Sequence, residues 1–127
     1  MLIGKDGKDV QDEDALDYIA GYTVGNDISA RDWQRAPAKI GSVHKWFMAK
    51  SFDKFAPLGP CVVSTEESGA ADNLCLETIV NGSIRQSTND GDLAFSVKAL
   101  VVFLQPRPDT SEGSLIMQVP VLEWVCS

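Results

Sequence analysis

The dipeptide Asn81-Gly82 is the feature that most constrains how this chain can fold. It stands between two β-prone runs, residues 74–80 and residues 83–87. Asn and Gly tolerate the positive φ angles that a two-residue hairpin turn requires. The sequence therefore predicts an antiparallel β-hairpin in which these two runs pair with each other.

Three further segments favour strands because they are apolar, β-branched or aromatic: residues 2–3, 21–25 and 61–64. The first reads as the end of a strand that enters a glycine-containing turn, and the last as a buried strand that follows a turn at residues 57–60. These segments, together with the hairpin, predict a domain dominated by β-structure.

Short helices are expected between the strands. Acidic residues in the first turn predict a helix over residues 14–19. Ser29 is a candidate N-cap and predicts a helix that starts there. Apolar residues at helical spacing predict a helix over residues 96–105, with Ser96 as its N-cap. Residues 35–45 and 65–73 are polar and are predicted as loops. The expected class is therefore α+β, mainly β.

Composition narrows the possible functions. The chain has 127 residues, a net charge of −7 and 44% hydrophobic residues, which are typical of one globular domain. An acidic chain is a poor partner for nucleic acid, and no apolar run approaches the length of a membrane span. Cys61, Cys75 and Cys126 lack metal-site spacing, so we expect reduced thiols, the first two in buried strands. The expected location is cytoplasmic, with mitochondrial as the alternative.

Residues 26–34 concentrate polar groups that carry chemistry. The carboxylate of Asp27 offers a hard oxygen to a divalent cation. Arg31 and Gln34 are three residues apart, so they share a helix face, where they could hold a carboxylate and orient a carbonyl. The alternative is structural: an aspartate that caps the helix and a surface pair between Arg31 and Asp32.

Three other positions are weaker candidates. Lys50 follows an aromatic segment and could stabilise a developing oxyanion, although a solvated lysine with a buried stem is the alternative. His44 is the one histidine of the sequence and lies in a predicted loop. Asp90 and Asp92 flank a glycine, which is more typical of a polar turn than of a cation site.

Several of these segments occur together in one family. Residues 21–34, GYTVGNDISARDWQ, resemble the signature G-Y/F-T-V/L-x-N-D-V/I-S-A-R-D-x-Q of the fumarylacetoacetate hydrolase family. Residues 50–60 resemble its next segment, K-S/T-F-D followed by P-L/M-G-P, and residues 76–87 resemble its V-N-G hairpin. The likeness covers roughly residues 2–105 and is nearest to members of the domain-containing-protein-2 type.

The resemblance implies mixed β-sheets rolled around a site, usually in a homodimer. It implies a divalent cation (Mg²⁺, or Mn²⁺ or Ca²⁺) and the cleavage, decarboxylation or isomerisation of small diketo or oxo-acids. Carried over by position, Asp27 is a metal ligand, Lys50 is catalytic, and Arg31 and Gln34 line the substrate pocket. The chemistry is coherent, because a cation polarises the oxo-acid and Lys50 adds positive charge where an enolate forms.

The family pattern also contains residues that this sequence does not show. Its other metal ligands, two glutamates of an E-x-E motif, stand on the strand of which residues 1–3 are the end, and its catalytic histidine stands in a lid further upstream. We therefore expect a partial catalytic domain with negligible turnover by itself. The alternatives are an inactive fragment and a metal-binding module of the same fold.

The end of the sequence departs from the family as well. Residues 113–117 fit the family pattern, whereas residues 118–127 do not. Read one nucleotide earlier, residues 119–125 can encode a stretch close to the family's glycine-rich loop. We therefore expect residues 118–127 to be an out-of-frame tail.

Overall fold

The structure is a computed structural model, and it describes residues 1–35, 46–71, 73–89, 91, 93–104 and 111–118. The chain divides into two compact units. The first is built from Met1–Tyr22 and the chain from Val62 onward, and the second from Thr23–Cys61.

A three-stranded sheet contains strands β1 (Leu2–Ile3), β2 (Ile19–Gly25) and β3 (Leu58–Val63), in the order β1-β2-β3. The strands predicted at residues 2–3 and 21–25 are confirmed. Strand β2 begins two residues earlier than predicted. Strand β2 leads from the first unit into the second, which contains the candidate site.

Gly21 shows why one position of β2 needs glycine. Strands β1 and β2 are antiparallel, with Leu2 opposite Gly21 and Ile3 opposite Ile19. A Cβ atom placed on Gly21 would overlap the backbone carbonyl of Val63. The backbones of β2 and β3 can therefore approach this closely only because Gly21 has no side chain.

The hairpin predicted from Asn81-Gly82 is confirmed. Strands β4 (Cys75–Val80) and β5 (Ser83–Asn89) pair antiparallel in a sheet of their own. Asn81 has a φ angle of 51° and Gly82 of 77°, which are the positive values of a type I′ turn. Strand β5 continues two residues beyond the predicted end.

Five helical segments complete the described chain. They are a 3₁₀ helix at Ala15–Tyr18 and the helices α1 (Arg31–Arg35), α2 (Trp46–Lys50), α3 (Thr65–Ser68) and α4 (Val97–Leu104). Every helix in the described part of the chain is too short or too polar to cross a bilayer.

The main core of the first unit forms between α4 and the 3₁₀ helix. Its buried members are all small or β-branched: Val10, Ala15, Ile19, Val97 and Val101. The predicted helix at residues 96–105 is confirmed through Leu104, and the Ser96 hydroxyl accepts a hydrogen bond of 3.2 Å from the Ala99 amide, as an N-cap does.

Several sequence predictions were wrong in detail. Residues 58–60, predicted as a turn, form the first half of β3, and the predicted loop at residues 65–73 opens with helix α3. The predicted helix at residues 14–19 is a single 3₁₀ turn, because Ile19 already pairs in β2. Local residue preferences cannot predict that a residue pairs with a distant strand.

The expected burial of two cysteines was also wrong. Cys61 and Cys75 are exposed thiols, and Val62, beside Cys61 in β3, is 52% exposed. The apolar composition of these strands was interpreted as burial, but the rest of the described chain does not cover them. His44, Asp90, Asp92 and residues 119–127 lie outside the described residues.

Candidate functional site

Backbone hydrogen bonds set the position of the segment that follows β2. The amides of Asn26 and Ile28 donate to the carbonyls of Pro57 and Phe55, at 3.2 and 3.1 Å. The amide of Ala30 donates to the carbonyl of Ala49, next to Lys50, at 2.9 Å. These bonds hold residues 26–30 alongside the end of α2 and the turn after it, so that side chains from both segments meet.

The side chains that meet there are Asp27, Ser29 and Lys50. The Lys50 ammonium forms an ion pair with Oδ2 of Asp27. It also donates a hydrogen bond of 2.9 Å to the hydroxyl of Ser29. The nitrogen lies 5.7 Å from the ring centroid of Trp46, within cation–π range. The side chains of Lys50 and Asp27 are 28% and 36% exposed, so the pair is accessible to a ligand.

Arg31 and Gln34 form a second polar pair on α1. The predicted shared face is confirmed, because Nη1 of Arg31 donates to Oε1 of Gln34. That bond occupies the oxygen of the Gln34 amide and leaves its NH₂ group to act as a donor. A guanidinium and an amide NH₂ side by side are suited to a carboxylate ligand.

An aromatic cluster anchors α1 on its other side. Trp33 packs edge-to-face on Phe52, with ring centroids 5.5 Å apart, and Phe52 contacts Phe55 at 5.2 Å. Trp33 lies two residues from Arg31, roughly on the opposite side of the helix. Packing of Trp33 thus places Arg31 on roughly the opposite side of α1 from the aromatic cluster.

The structure therefore brings Asp27 to Lys50 and Arg31 to Gln34, the four residues predicted from sequence. Of the structural alternative, the aspartate cap is not met by Asp27, because α1 begins at Arg31, four residues later, whereas the surface pair of an arginine with an aspartate stays a prediction. The roles of the four residues stay predictions.

Sequence reasoning missed Ser29 and Trp46 as partners of Lys50. Two weak signals were present. Trp46 and Lys50 are four residues apart in a helix, and Asp27 and Ser29 are two apart, a spacing that places side chains on one side of an extended segment.

A divalent cation is the cofactor to test against these residues. The carboxylate of Asp27 is the hard oxygen donor that Mg²⁺ and Mn²⁺ prefer, and it is exposed at the exit of a strand. Among the described residues, no group of three or more His, Cys, Asp or Glu side chains gathers at one point. The chemistry of Asp27 therefore fits one carboxylate ligand of a divalent cation, and the described residues do not add a cluster of further His, Cys, Asp or Glu ligands to it.

The chain belongs to the fumarylacetoacetate hydrolase family: the sequence model of the fumarylacetoacetate (FAA) hydrolase C-terminal domain matches residues 1–118. Solved structures agree. The 5-carboxymethyl-2-hydroxymuconate delta-isomerase from Mycobacterium smegmatis has a TM-score of 0.72 and 36% identity over 88% of this chain and 41% of its own. The fumarylpyruvate hydrolase from Pseudomonas aeruginosa, solved with Mn²⁺ and pyruvate, has a TM-score of 0.69 and 32% identity over 83% of this chain and 44% of its own.

Among curated relatives, the chain is 41% identical to "Oxaloacetate tautomerase fahd2, mitochondrial" of Xenopus laevis, over 92% of this chain and 35% of the relative. It is 38% identical to "Fumarylacetoacetate hydrolase domain-containing protein 2 homolog" of Dictyostelium discoideum, over 91% of this chain and 39% of the relative. The chain thus spans little more than a third of the relatives that it matches. The expected fold class, mainly β and α+β, is confirmed by the family's solved structures.

Proposed function

We propose that this chain supplies part of a divalent-metal-dependent site that acts on small oxo-acids. The observation that carries the proposal is the pairing of Lys50 with Asp27 across 23 residues of sequence. It places a candidate metal ligand and the positive charge of an ammonium group at one accessible point. A surface ion pair alone contributes little to stability, so stability does not explain the arrangement well.

Each side chain has a distinct task in this proposal. Asp27 donates one oxygen to the cation, which when bound polarises the substrate carbonyl. Lys50 places its ammonium group beside that carbonyl, where negative charge develops on oxygen. Arg31 and the NH₂ group of Gln34 hold the substrate carboxylate and thereby fix which carbon faces Lys50.

Isomerisation of an oxo-acid is the reaction that we favour. Six relatives between 35% and 41% identical carry the name oxaloacetate tautomerase, and two of the similar solved structures carry the name of an isomerase. Cleavage of a carbon–carbon bond is the second candidate, supported by the solved fumarylpyruvate hydrolase. We extend the proposal to a homodimer and to the mitochondrion, the location that the names of several relatives state.

Titration with Mn²⁺, followed by the loss of its free electron paramagnetic resonance signal, tests the metal ligand. We expect saturable binding that is weak, roughly millimolar, since few carboxylates contribute. Asp27→Ala should abolish it. Asp53→Ala removes an exposed carboxylate of the same structural unit and should leave it unchanged.

Calorimetric titration of pyruvate into the Mn²⁺-saturated chain tests the substrate class. Pyruvate should bind only when Mn²⁺ is present, and not to the Asp27→Ala variant. Equal Mn²⁺ binding by the wild type and Asp27→Ala would refute the proposal. Metal binding without pyruvate binding would instead favour a metal-binding module of the same fold.

A further inference from the structure

The Lys50 ammonium has two oxygen partners of different character. Asp27 is charged and is the proposed metal ligand, whereas Ser29 is neutral and half-buried. An ammonium group has three protons to donate, so both contacts are made at once. The two partners therefore need not respond in the same way when a cation binds.

We propose that Ser29 is a positioning residue that keeps the Lys50 ammonium beside the site while Asp27 is engaged by the cation. A cation bound to Asp27 neutralises the carboxylate charge that attracts Lys50, and its own positive charge repels the ammonium group. Lysine has a flexible four-carbon stem, so without a second partner it would move into solvent. The Ser29 hydroxyl, 2.9 Å from Nζ, holds the ammonium without neutralising its charge.

Neighbouring contacts restrict the same side chain. The ring of Trp46 lies 5.7 Å from the lysine nitrogen and is one helical turn before it. The Ala30 amide, adjacent to Ser29, bonds the Ala49 carbonyl, adjacent to Lys50, at 2.9 Å. The Ser29–Lys50 contact thus rests on a backbone bond one residue away and does not depend on two flexible side chains alone.

The contact itself is tested without any ligand, by a double-mutant cycle in urea denaturation. The variants are Ser29→Ala, Lys50→Met and the double variant. If the hydrogen bond exists, the unfolding equilibrium constant of the double variant should be about threefold smaller than the two single effects multiplied together predict. Independent effects of the two substitutions would overturn the contact.

The positioning role rests on the proposed function and is tested with pyruvate and Mn²⁺. Ser29→Ala should weaken pyruvate binding to the Mn²⁺-saturated chain about fivefold, with Mn²⁺ affinity within about twofold of wild type. Ser29→Thr retains the hydroxyl and should restore pyruvate affinity. Ser51→Ala is the matched control, because that hydroxyl bonds the Phe47 carbonyl instead.

The outcomes separate the two proposals. Weaker pyruvate binding by Lys50→Met but wild-type binding by both Ser29 variants would overturn the positioning role and leave the proposed function standing. Wild-type chain that binds Mn²⁺ but no pyruvate would overturn the oxo-acid function and the positioning role together, while the double-mutant cycle would still decide the contact.

Discussion

Substitution of Lys50 by methionine should change two binding constants in opposite directions. Methionine keeps most of the aliphatic stem and removes the charge, so the cation–π contact with Trp46 is lost while the side chain keeps a similar length and apolar character. Because Lys50 competes with a cation for Asp27, its removal should strengthen Mn²⁺ binding. Because the ammonium is also the proposed partner of the substrate oxygen, its removal should weaken pyruvate binding.

The size of the metal effect follows from the pairing. A cation bound to Asp27 would lie roughly 4 Å from an ammonium group hydrogen-bonded to the same carboxylate. Unit charges at that separation interact by about 1 kcal/mol in water, and a divalent ion doubles this to about 2 kcal/mol. Since Lys50 and Asp27 are 28% and 36% exposed and the lysine can relax, solvent and motion reduce the gain. We expect Mn²⁺ to bind about fivefold more tightly, which corresponds to about 1 kcal/mol.

Paramagnetic resonance titration measures the Mn²⁺ constant, and calorimetry measures the pyruvate constant, which should weaken about tenfold. Lys98→Met, in helix α4 of the other structural unit, removes an equal charge and controls for net charge. Unchanged or weaker Mn²⁺ binding by Lys50→Met, together with unchanged pyruvate binding, would refute the assignment of Lys50 to the site.

Three further outcomes are expected. Gln34→Glu should weaken pyruvate binding about tenfold in calorimetry, because the new carboxylate neutralises Arg31. If the variant and the wild type bind pyruvate with equal affinity, Arg31 and Gln34 lie outside the site. Gly82→Ala should lower the free energy of unfolding in urea by about 1 kcal/mol, because alanine is strained at a φ angle of 77°, and an unchanged midpoint would contradict the turn geometry. Cys61 and Cys75 should both be alkylated by iodoacetamide in the native chain, as mass spectrometry would show, whereas protection of either would restore the prediction of burial.

Some features could be predicted because a few neighbouring residues decide them. The hairpin turn requires positive φ angles, which Asn81 and Gly82 supply wherever they stand in a chain. The Ser96 cap and the buried spacing of Val97 and Val101 are properties of a single helix. The contact of Arg31 with Gln34 is likewise set by helix geometry.

The site could be predicted only in part. A family signature indicated Asp27 and Lys50, but no spacing rule joins two residues 23 positions apart. Ser29 was interpreted only as a helix cap, although its hydroxyl accepts from Lys50. That contact depends on backbone bonds between residues 26–30 and residues 49–57, which sequence reasoning did not anticipate.

Local chemistry thus determined the hairpin, the capped helix and the residue types capable of metal and oxo-acid chemistry, since dihedral preference and helical spacing act over a few residues. Tertiary structure alone decided that Lys50 has Ser29 as well as Asp27 for a partner, and that Cys61 is exposed although it lies in an apolar strand. Both depend on which distant segments pack together, and that depends on surfaces that only the folded chain forms.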